Sequence, residues 1–288
     1  MIVTRVIGGL GNQMFQYAAG RALARRLGVP LRIDSSGFRS YSVHDYCLHH
    51  FALKAVEAED GDVPNGRAES RWARALRRIG LGTELKVFRE RGFAFDSEVN
   101  MLPDDTYLDG YWQSERYFSD MEGELRRDFE IVTPPTTQNA EWLTRIRSDA
   151  GSVSIHVRRG DYVTNASANA VHGTCTLEYY MRAARHVADK TDVPPTFYVF
   201  SDDPDWVAAN LHLGYETTYV RHNDAAHNYE DLRLMSACRH HVIANSTFSW
   251  WGAWLNPARG KRVVAPLQWF RDEKMDTRDL MPPSWTRL

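Results

Sequence analysis

The chain opens with a strand, a glycine-rich turn, a helix and a second strand in direct succession, and this order restricts its fold most strongly. β-Branched residues predict a strand over residues 2–7, and three glycines at residues 8–11 supply a tight turn. Apolar residues then recur at helical spacing over residues 14–23, until Gly28-Val29-Pro30 ends the helix and residues 31–33 start the next strand. Such an opening is typical of α/β proteins with parallel sheets.

A second α/β run follows a stretch rich in proline and threonine at residues 131–139. Beyond it, strands are predicted at residues 153–157, 197–200, 241–244 and 263–265, and helices at residues 178–189 and 230–237. A chain of 288 residues is long enough for two domains. We therefore predict an N-terminal α/β domain over residues 1–135 and a C-terminal α/β domain over residues 136–288.

The composition excludes several classes of protein. Lys and Arg number 35 against 37 Asp and Glu, and the net charge of −2 argues against a general nucleic-acid-binding protein. Three widely spaced cysteines fit neither a disulfide framework nor a CxxC metal site. No run of 18 apolar residues predicts a transmembrane span, and the first residues lack the apolar core of a signal peptide. We therefore expect a cytoplasmic globular enzyme.

A basic amphipathic helix is predicted over residues 67–79, where five arginines surround Trp72, Leu76 and Ile79. Two interpretations of this helix stay open. It either packs on the protein by its apolar stripe with its arginines in water, or it adheres to an anionic membrane surface. The second interpretation would make the protein peripheral to the inner face of the membrane.

The glycine loop GGLGNQ at residues 8–13 has the character of an anion-binding site. It lacks the third glycine of the dinucleotide fingerprint and the Gly-Lys-Ser/Thr of a P-loop. A glycine loop before a helix nevertheless points backbone N–H groups at whatever lies in front of it. Because Gly9 and Gly11 carry no side chain, a ligand can approach the backbone closely. The alternative is a tight turn without a ligand.

The segment HVRRGDY at residues 156–162 ends a predicted strand with two arginines. Ligands of open α/β sheets bind at the carboxyl ends of the strands, and the planar fork of arginine bonds phosphate in bidentate fashion. We therefore expect one arginine to bind a pyrophosphate and the other to pair with Asp161. In the alternative, both arginines pair with surface carboxylates.

Carboxylates end another predicted strand, in FSDDPDW at residues 200–206. Asp203-Pro204-Asp205 matches the D-x-D arrangement with which many glycosyltransferases hold a divalent metal on a nucleotide-sugar. Alternatively, Asp202 or Asp203 accepts hydrogen bonds from the N1–H and N2–H₂ groups of guanine. Pro204 and Asp205 also suit the first turn of a helix. Since this capping role explains Asp205, we predict no metal site here.

Small polar residues precede a tryptophan-rich helix in ANSTFSWWGAWLN at residues 244–256. The hydroxyls and backbone N–H groups at such a helix start can hold an anion. Trp250, Trp254 and Leu255 share one helix face, so we predict that the tryptophans pack in the core rather than stack on a sugar.

Aromatic and polar residues are interleaved in DGYWQSERYF at residues 109–118. Sugar rings stack on aromatic faces while their hydroxyls take polar partners, so this segment suits an acceptor sugar. Packing of an edge strand explains it equally well. The eleven histidines show no H-E-x-x-H or comparable spacing, and we predict no metal site from them.

Taken together and in this order, five segments resemble the bacterial α-1,2-fucosyltransferases of glycosyltransferase family 11: GGLGNQMFQYAAGRALA, DGYWQSERYF, HVRRGDYV, FSDDPDW and ANSTFSWWGAWLN. The resemblance implies a GT-B-like α/β architecture, in which two Rossmann-type domains with parallel sheets face a cleft. It implies transfer of L-fucose from GDP-β-L-fucose to the 2-hydroxyl of a terminal β-galactoside, with inversion and without a metal or other cofactor. The N-terminal domain would serve the acceptor, and the C-terminal domain would bind the GDP-sugar.

The resemblance also implies roles for individual residues. Arg158 would hold the β-phosphate and Asp202 would read guanine, while Asp161, the carboxylate nearest the arginines in sequence, is the candidate general base. The full predicted set comprises catalytic Arg158, Asp161 and Asn12; donor-binding Gly11, Gln13, His156, Arg158, Asp202, Asp203, Asn245, Ser246, Thr247 and Phe248; and acceptor-binding Tyr111, Trp112 and Gln113.

Three other functions stay open at this point. A nicotinamide oxidoreductase would share the α/β fold, although the missing third glycine counts against it. A glycosyltransferase with another nucleotide-sugar donor needs most of the same groups. A non-catalytic glycan-binding protein would explain nine tryptophans but would not need HVRRGDY.

Overall fold

A computed structural model describes residues 1–64, 85–272 and 274–288 of the chain. The chain forms two compact units. Unit 1 comprises Met1–Val132 together with Asp276–Leu280, and unit 2 comprises Thr133–Met275 together with Met281–Leu288. The sequence does not lead us to expect that a segment close to the C-terminus belongs to the first unit.

Each unit contains both strands and helices. Among its described residues, unit 1 contains β1 (Ile2–Arg5), α1 (Leu10–Leu27), β2 (Leu31–Asp34), β3 (Val56–Glu57), β4 (Lys86–Arg89), β5 (Thr106–Asp109) and α2 (Glu122–Asp128). Unit 2 contains α3 (Thr137–Ser148), β6 (Ser152–Val157), α4 (Gly160–Thr164), α5 (Ala166–His172), α6 (Leu177–Ala188), β7 (Thr196–Ser201), α7 (Pro204–Asn210), β8 (Glu216–Tyr219), α8 (Asn228–Ala237), β9 (His240–Val242), α9 (Thr247–Leu255), β10 (Val263–Ala265) and β11 (Thr286–Arg287).

The strands of unit 1 form a parallel sheet in the order β3-β2-β1-β5-β4. β1 pairs with β2 from Ile2 opposite Leu31, and α1 makes the crossover that two parallel neighbours require. The helix lies close to β1 at Gly20, where a Cβ would stand 2.9 Å from the Cβ of Thr4. The predicted strand, helix and strand at the start of the chain are therefore confirmed.

The strands of unit 2 form a second parallel sheet, in the order β11-β10-β9-β6-β7-β8. All six residues of β6 are buried, as expected for a central strand covered on both faces. The α/β elements predicted after residue 139 are present, and their bounds differ from the predicted ones by at most two residues. The predicted class, two α/β units with parallel sheets, is confirmed.

The tryptophans of α9 lie in the core of unit 2. Trp250, Trp251 and Trp254 are all buried, and the rings of Trp250 and Trp254 stack with centroids 6.1 Å apart. Gly252 lets α9 approach α8, since a Cβ there would stand 3.2 Å from the Cβ of Met235. The prediction of core packing for these residues is confirmed.

The segment 276–280 is fixed to unit 1 mainly through Asp279. Its backbone carbonyl accepts a hydrogen bond of 2.6 Å from Oγ of Ser114, and its carboxylate pairs with Nη1 of Arg116 at 2.6 Å. The same carboxylate accepts from the backbone N–H of Phe95 at 3.0 Å. A single aspartate thus ties the late segment to two loops of the first unit.

Two predictions concern membranes. The basic helix at residues 67–79 lies outside the described residues. Within the described ranges, none of the helices is long and apolar enough to cross a bilayer. Contact with a membrane surface and a cytoplasmic location stay predictions.

Candidate active site

The glycine loop of unit 1 follows β1 at the carboxyl edge of its sheet, where ligands of parallel sheets bind. Gly8 has a φ of +88°, a left-handed conformation that favours glycine. Gly9 is the N-cap of α1, and Gly11 is buried in its first turn. The sequence allows a ligand to approach Gly9, and in the structure a Cβ at Gly9 would stand 3.5 Å from Nε2 of His44. The space at Gly9 admits the ring of His44, a residue that no sequence pattern indicates.

Gln13 is buried and fastens the glycine loop to the segment 45–47. Its Nε2 donates to the carbonyl oxygens of Gly8 and Asp45, both at 2.8 Å. Its Oε1 accepts from the backbone N–H of Cys47 at 2.9 Å. Both amide hydrogens are therefore engaged by the backbone. The side chain of Gln13 therefore holds the glycine loop, and its predicted role in donor binding stays a prediction.

Gln16, one turn further along α1, has a similar role that we do not predict from the sequence. Its Oε1 accepts from the backbone N–H of Ile7 at 3.0 Å, and its Nε2 donates to the carbonyl of Gly110 at 3.1 Å. It thereby joins the chain after β1 to the chain after β5. The available signal is two glutamines at spacing i, i+3 inside an otherwise apolar helix, since buried amides need partners.

Asn12 and Gln113 contact each other in unit 1. Nε2 of Gln113 donates to Oδ1 of Asn12 at 3.0 Å. Gln113 is 5% exposed, and its Oε1 has no hydrogen-bond partner among the described residues. The structure thus brings together Asn12, which we predict to act near the reacting centre, and Gln113, which we predict to bind the acceptor sugar. The Oε1 atom of Gln113 is available there as a hydrogen-bond acceptor.

Trp112 has a structural role in the loop after β5. It has a φ of +56°, although it is not glycine, and Glu90 accepts its backbone N–H at 2.8 Å and that of Tyr111 at 2.6 Å. Burial raises the pKa of Glu90 above its ordinary value. The Trp112 ring is 0% exposed and packs between Phe88 and Tyr117. Nε1 of Trp112 has no hydrogen-bond partner among the described residues, and Tyr111 is 39% exposed. The acceptor contacts of both residues stay predictions.

In unit 2, the ends of β6 and β7 bring an arginine and an aspartate together. These strands pair in parallel up to Val157 opposite Ser201. Nη1 of Arg158 lies 2.9 Å from Oδ2 of Asp202, and the side chains are 21% and 25% exposed. The backbone N–H of Arg159 donates to Oδ1 of the same carboxylate at 2.8 Å. The residues predicted for phosphate and for guanine are therefore partners of each other.

The second arginine of HVRRGDY contacts the start of α7. Nε of Arg159 lies 3.1 Å from Oδ2 of Asp203, and its guanidinium carbon lies 3.3 Å from the centroid of a Trp206 ring. The predicted pairing of an arginine with Asp161 stays a prediction. The side chain of Asp161 lies outside what the structure describes, and its role as general base stays a prediction.

The outer carboxylates of Asp203-Pro204-Asp205 engage different arginines. Asp203 pairs with Arg159, whereas Oδ1 of Asp205 lies 3.0 Å from Nη1 of Arg221. Asp205 stands in the first turn of α7, behind Pro204 at the helix start. The capping role predicted for these two residues is confirmed.

The start of α9 lies beyond the carboxyl end of β9. Ser246 is the N-cap, and its backbone carbonyl accepts a hydrogen bond of 3.1 Å from Oγ of Ser249. The ring of Phe248 contacts that of His156, with centroids 5.5 Å apart. Ser246, Thr247 and Phe248 thus form the first turn of a helix at the same sheet edge as Arg158.

Asn245, predicted to bind the donor, is buried among loops. Its Nδ2 donates to three carbonyl oxygens, those of His172, Gly173 and Trp269, at 3.0–3.2 Å. Its Oδ1 accepts from Sγ of Cys175 at 3.5 Å. These bonds hold the loops beside α9 in place, and the predicted contact of Asn245 with the donor stays a prediction.

His156 is a buried, neutral imidazole within β6. It is 5% exposed, and Nδ1 has no hydrogen-bond partner among the described residues. Burial, and secondarily the charge of Arg158, lower the pKa of His156 to about 3. The ring is therefore uncharged at neutral pH, and an imidazole nitrogen remains able to bond a ligand. Its predicted contact with the donor stays a prediction.

Replacing His156 by glutamine should change how stability depends on pH. In the folded protein the imidazole stays neutral down to about pH 3, whereas in the unfolded chain it gains a proton near pH 6.5. Its contribution to stability is therefore lost as the pH falls from about 6.5 towards 3. Between pH 7 and pH 5, we expect the wild-type advantage in unfolding free energy over His156→Gln to shrink by about 2 kcal/mol.

Urea denaturation of both proteins at pH 7, 6 and 5 measures this difference. The variant His212→Gln provides a control, because His212 is an exposed histidine. This control measures what the replacement of a surface histidine by glutamine does by itself. A difference for His156→Gln that does not change with pH would show that the imidazole of His156 titrates normally in the folded state.

Each unit therefore contains one cluster of predicted site residues. Asn12 contacts Gln113 in unit 1, and Arg158 contacts Asp202 in unit 2. The side chains of Gln13, Trp112 and Asn245 also have structural roles.

Comparison with known proteins gives a consistent result. Residues 93–288 match the profile of glycosyl transferase family 11. The chain is 33% identical to the alpha-1,2-colitosyltransferase of Escherichia coli, in an alignment that covers 100% of this chain and 99% of that protein. It is 32% identical to the O-antigen biosynthesis glycosyltransferase WbnK of Escherichia coli, over 98% of each chain.

The fold has a counterpart among solved structures. The crystal structure of POFUT1 in complex with GDP matches with a TM-score of 0.50 and 13% identity, over 92% of this chain and 97% of that one. At this identity the likeness concerns the fold alone. The predicted GT-B-like class of two Rossmann-type units is confirmed.

Proposed function

The chain belongs to glycosyltransferase family 11, and from this premise we propose that it transfers L-fucose from GDP-β-L-fucose to the 2-hydroxyl of a terminal β-galactoside. The observation that supports the proposal most is the pairing of Arg158 with Asp202 at one sheet edge. A guanidinium suits the diphosphate of GDP, and a carboxylate suits the paired N–H donors of guanine. No other nucleobase offers two adjacent ring and exocyclic donors of this kind to one carboxylate.

The proposed reaction is a displacement at the anomeric carbon with inversion. The bond between C1 and the β-phosphate oxygen breaks, and GDP leaves with the electron pair. The galactose O2 forms the new bond to C1 from the opposite face, and its proton passes to a base or to water. Asp161 is our candidate base, and a strongly dissociative transition state lowers the demand on it.

Stabilisation of the leaving group is the main task of the protein in this proposal. As C1 becomes oxocarbenium-like, negative charge develops on the β-phosphate. Arg158 supplies a fixed positive charge, and the first turn of α9 at Ser246–Phe248 supplies backbone N–H groups and the helix dipole. Fixed donors of this type act without reorganisation during the reaction.

We assign the acceptor sugar to unit 1. Oε1 of Gln113 is a buried acceptor without a partner among the residues that the structure describes, so a sugar hydroxyl would satisfy it. Oδ1 of Asn12 accepts a hydrogen bond from the same amide, and the exposed ring of Tyr111 precedes Gln113 in the same loop. This arrangement supports a polar contact near the reacting hydroxyl.

A second candidate donor follows from the relative in Escherichia coli that is named as a colitosyltransferase. Colitose is fucose without the 3-hydroxyl, so a site for one sugar differs from a site for the other by a single hydrogen-bonding position. The guanosine diphosphate half of the two donors is the same. Competition between GDP-fucose and GDP-colitose in one assay would distinguish the candidates.

Release of GDP from GDP-fucose, with and without lactose and in excess EDTA, tests the proposed function. We expect release that depends on lactose, and a product whose NMR spectrum shows an α-linkage at O2 of galactose. A loss of activity in EDTA that Mn²⁺ or Mg²⁺ restores would contradict metal independence. If GDP is released from GDP-colitose but not from GDP-fucose, colitose replaces fucose as the proposed donor sugar. If no nucleotide-sugar releases its nucleotide, a non-catalytic glycan-binding protein is favoured.

A further inference from the structure

Arg158 and Asp202 neutralise each other, although the proposed function gives each of them a different part of the donor to bind. We infer that donor binding exchanges this ion pair, and that the exchange makes binding of the diphosphate depend on binding of guanine. The inference rests on the proposed function and adds a determinant of nucleotide specificity to it. Asp202 acts here as a reader of the base and as a competitor of the phosphate for Arg158.

Each oxygen of the Asp202 carboxylate already has one donor. Oδ2 receives Nη1 of Arg158 at 2.9 Å, and Oδ1 receives the backbone N–H of Arg159 at 2.8 Å. Gly160 makes this position possible, since a Cβ there would stand 2.5 Å from Oδ2. A base with two adjacent N–H donors needs a place on each oxygen, and on Oδ2, which lies against Gly160, it competes with Arg158 for that place.

The charges explain why the two halves of the ligand depend on each other. Pyrophosphate alone would draw Arg158 away and leave Asp202 three-quarters buried without its cation. Guanosine alone would occupy Asp202 and leave Arg158 without this carboxylate. GDP supplies a new partner to both side chains at once: the diphosphate pairs with the charge of Arg158, and guanine donates hydrogen bonds to the carboxylate of Asp202.

Other nucleoside diphosphates would supply only one of these partners. Uracil presents a single N–H between two carbonyl oxygens, and the carboxylate would repel those oxygens. Adenine presents one exocyclic amino group beside acceptor nitrogens. The phosphates of UDP and ADP would therefore open the ion pair, but their bases would not supply the two N–H donors that Asp202 needs. The protein would then select GDP in two ways: guanine makes a favourable contact with Asp202, and the other bases leave the charge of Asp202 without a partner.

The wild-type protein allows the first test without any substitution. Isothermal titration calorimetry would measure the Kd of pyrophosphate in the absence and in the presence of saturating guanosine. We expect guanosine to tighten pyrophosphate binding by about threefold or more, the order expected for one partly exposed ion pair. Linkage requires pyrophosphate to tighten guanosine binding by the same factor. Independent binding of the two probes would overturn the inference.

The variant Asp202→Asn gives the second test, because it removes the charge that competes for Arg158 and alters the contact with guanine. We expect pyrophosphate to bind about threefold or more tightly, and GDP to bind at least about tenfold more weakly, than in the wild type. Asp205→Asn is the matched control, since Asp205 also pairs with an arginine, Arg221, in the same segment. Both affinities should stay within about twofold of the wild type in this control.

The outcomes separate this inference from the proposed function. Unchanged pyrophosphate affinity with weakened GDP affinity in Asp202→Asn would leave Asp202 as a reader of guanine but overturn the exchange. Weakened affinity for both probes would also overturn it, because Asp202 would then position Arg158 for the phosphate. If the wild type binds pyrophosphate but shows no preference for GDP over UDP and ADP, the proposed donor itself is wrong.

Discussion

Replacing Arg158 by alanine should lower the kcat of fucosyl transfer by at least about 10²-fold while the protein stays folded. Loss of one fixed donor to a developing anion raises a reaction barrier by about 2.7–4 kcal/mol. Arg158 stands at the end of a fully buried strand, where its side chain is 21% exposed, so its loss removes charge without opening the core. Steady-state kinetics with GDP-fucose and lactose, together with circular dichroism, would measure both effects.

The control for this prediction is Arg221→Ala. Arg221 follows β8 and pairs with Asp205 on the surface, so its removal changes the net charge equally. Its kcat should stay within about twofold of the wild type, as for other exposed ion pairs. Near wild-type turnover in Arg158→Ala would remove Arg158 from the proposed mechanism.

Replacing Gln13 by alanine should lower the free energy of unfolding by about 3 kcal/mol or more. The change leaves the buried carbonyl of Gly8, the buried N–H of Cys47 and the part-buried carbonyl of Asp45 without their amide partner. Each buried polar group left unpaired costs about 1–3 kcal/mol. Thermal and urea denaturation would measure the loss, and activity should fall with it because the glycine loop loses its fastening.

Two further variants separate the hydrogen bonds of Gln13 from its volume. Gln13→Met keeps most of the volume and should lose nearly as much stability as the alanine variant. Gln138→Ala, in the exposed first turn of α3, should change the unfolding free energy by less than about 0.5 kcal/mol. A stable Gln13→Met protein would mean that volume and not hydrogen bonding fixes the loop.

The sequence predicts the regular elements well because their apolar spacing is local information. The strand at Val263–Ala265 has the predicted bounds, and the strands around HVRRGDY and FSDDPDW differ by one residue. The predicted start of the first helix is less accurate. We placed its apolar pattern from residue 14, but Gly9 is already the N-cap, since polar residues in a first turn leave no apolar signal.

The partners of polar side chains were harder to predict. That Arg158 would lie at a sheet edge follows from the strand before it, but its contact with Asp202 joins residues 44 apart in the chain through the pairing of β6 with β7. Gln13 and Asn245 have the residue types of ligand-binding groups, yet buried backbone groups that only the folded chain brings near them take their hydrogen bonds. His44 lies in a loop without periodicity, and its place over Gly9 has no sequence signal.

The place of residues 276–280 in unit 1 has a consequence for synthesis of the protein. The ribosome must add the 143 residues from 133 to 275 between the two parts of this unit, which takes about 7–30 s at ordinary elongation rates. During that time Ser114 and Arg116 have been synthesised, but Asp279, with which they form a hydrogen bond and an ion pair, has not. The unit that emerges first therefore stays incomplete until residue 280 has been added, and a gene fragment ending at residue 132 encodes an N-terminal unit without one of its own segments.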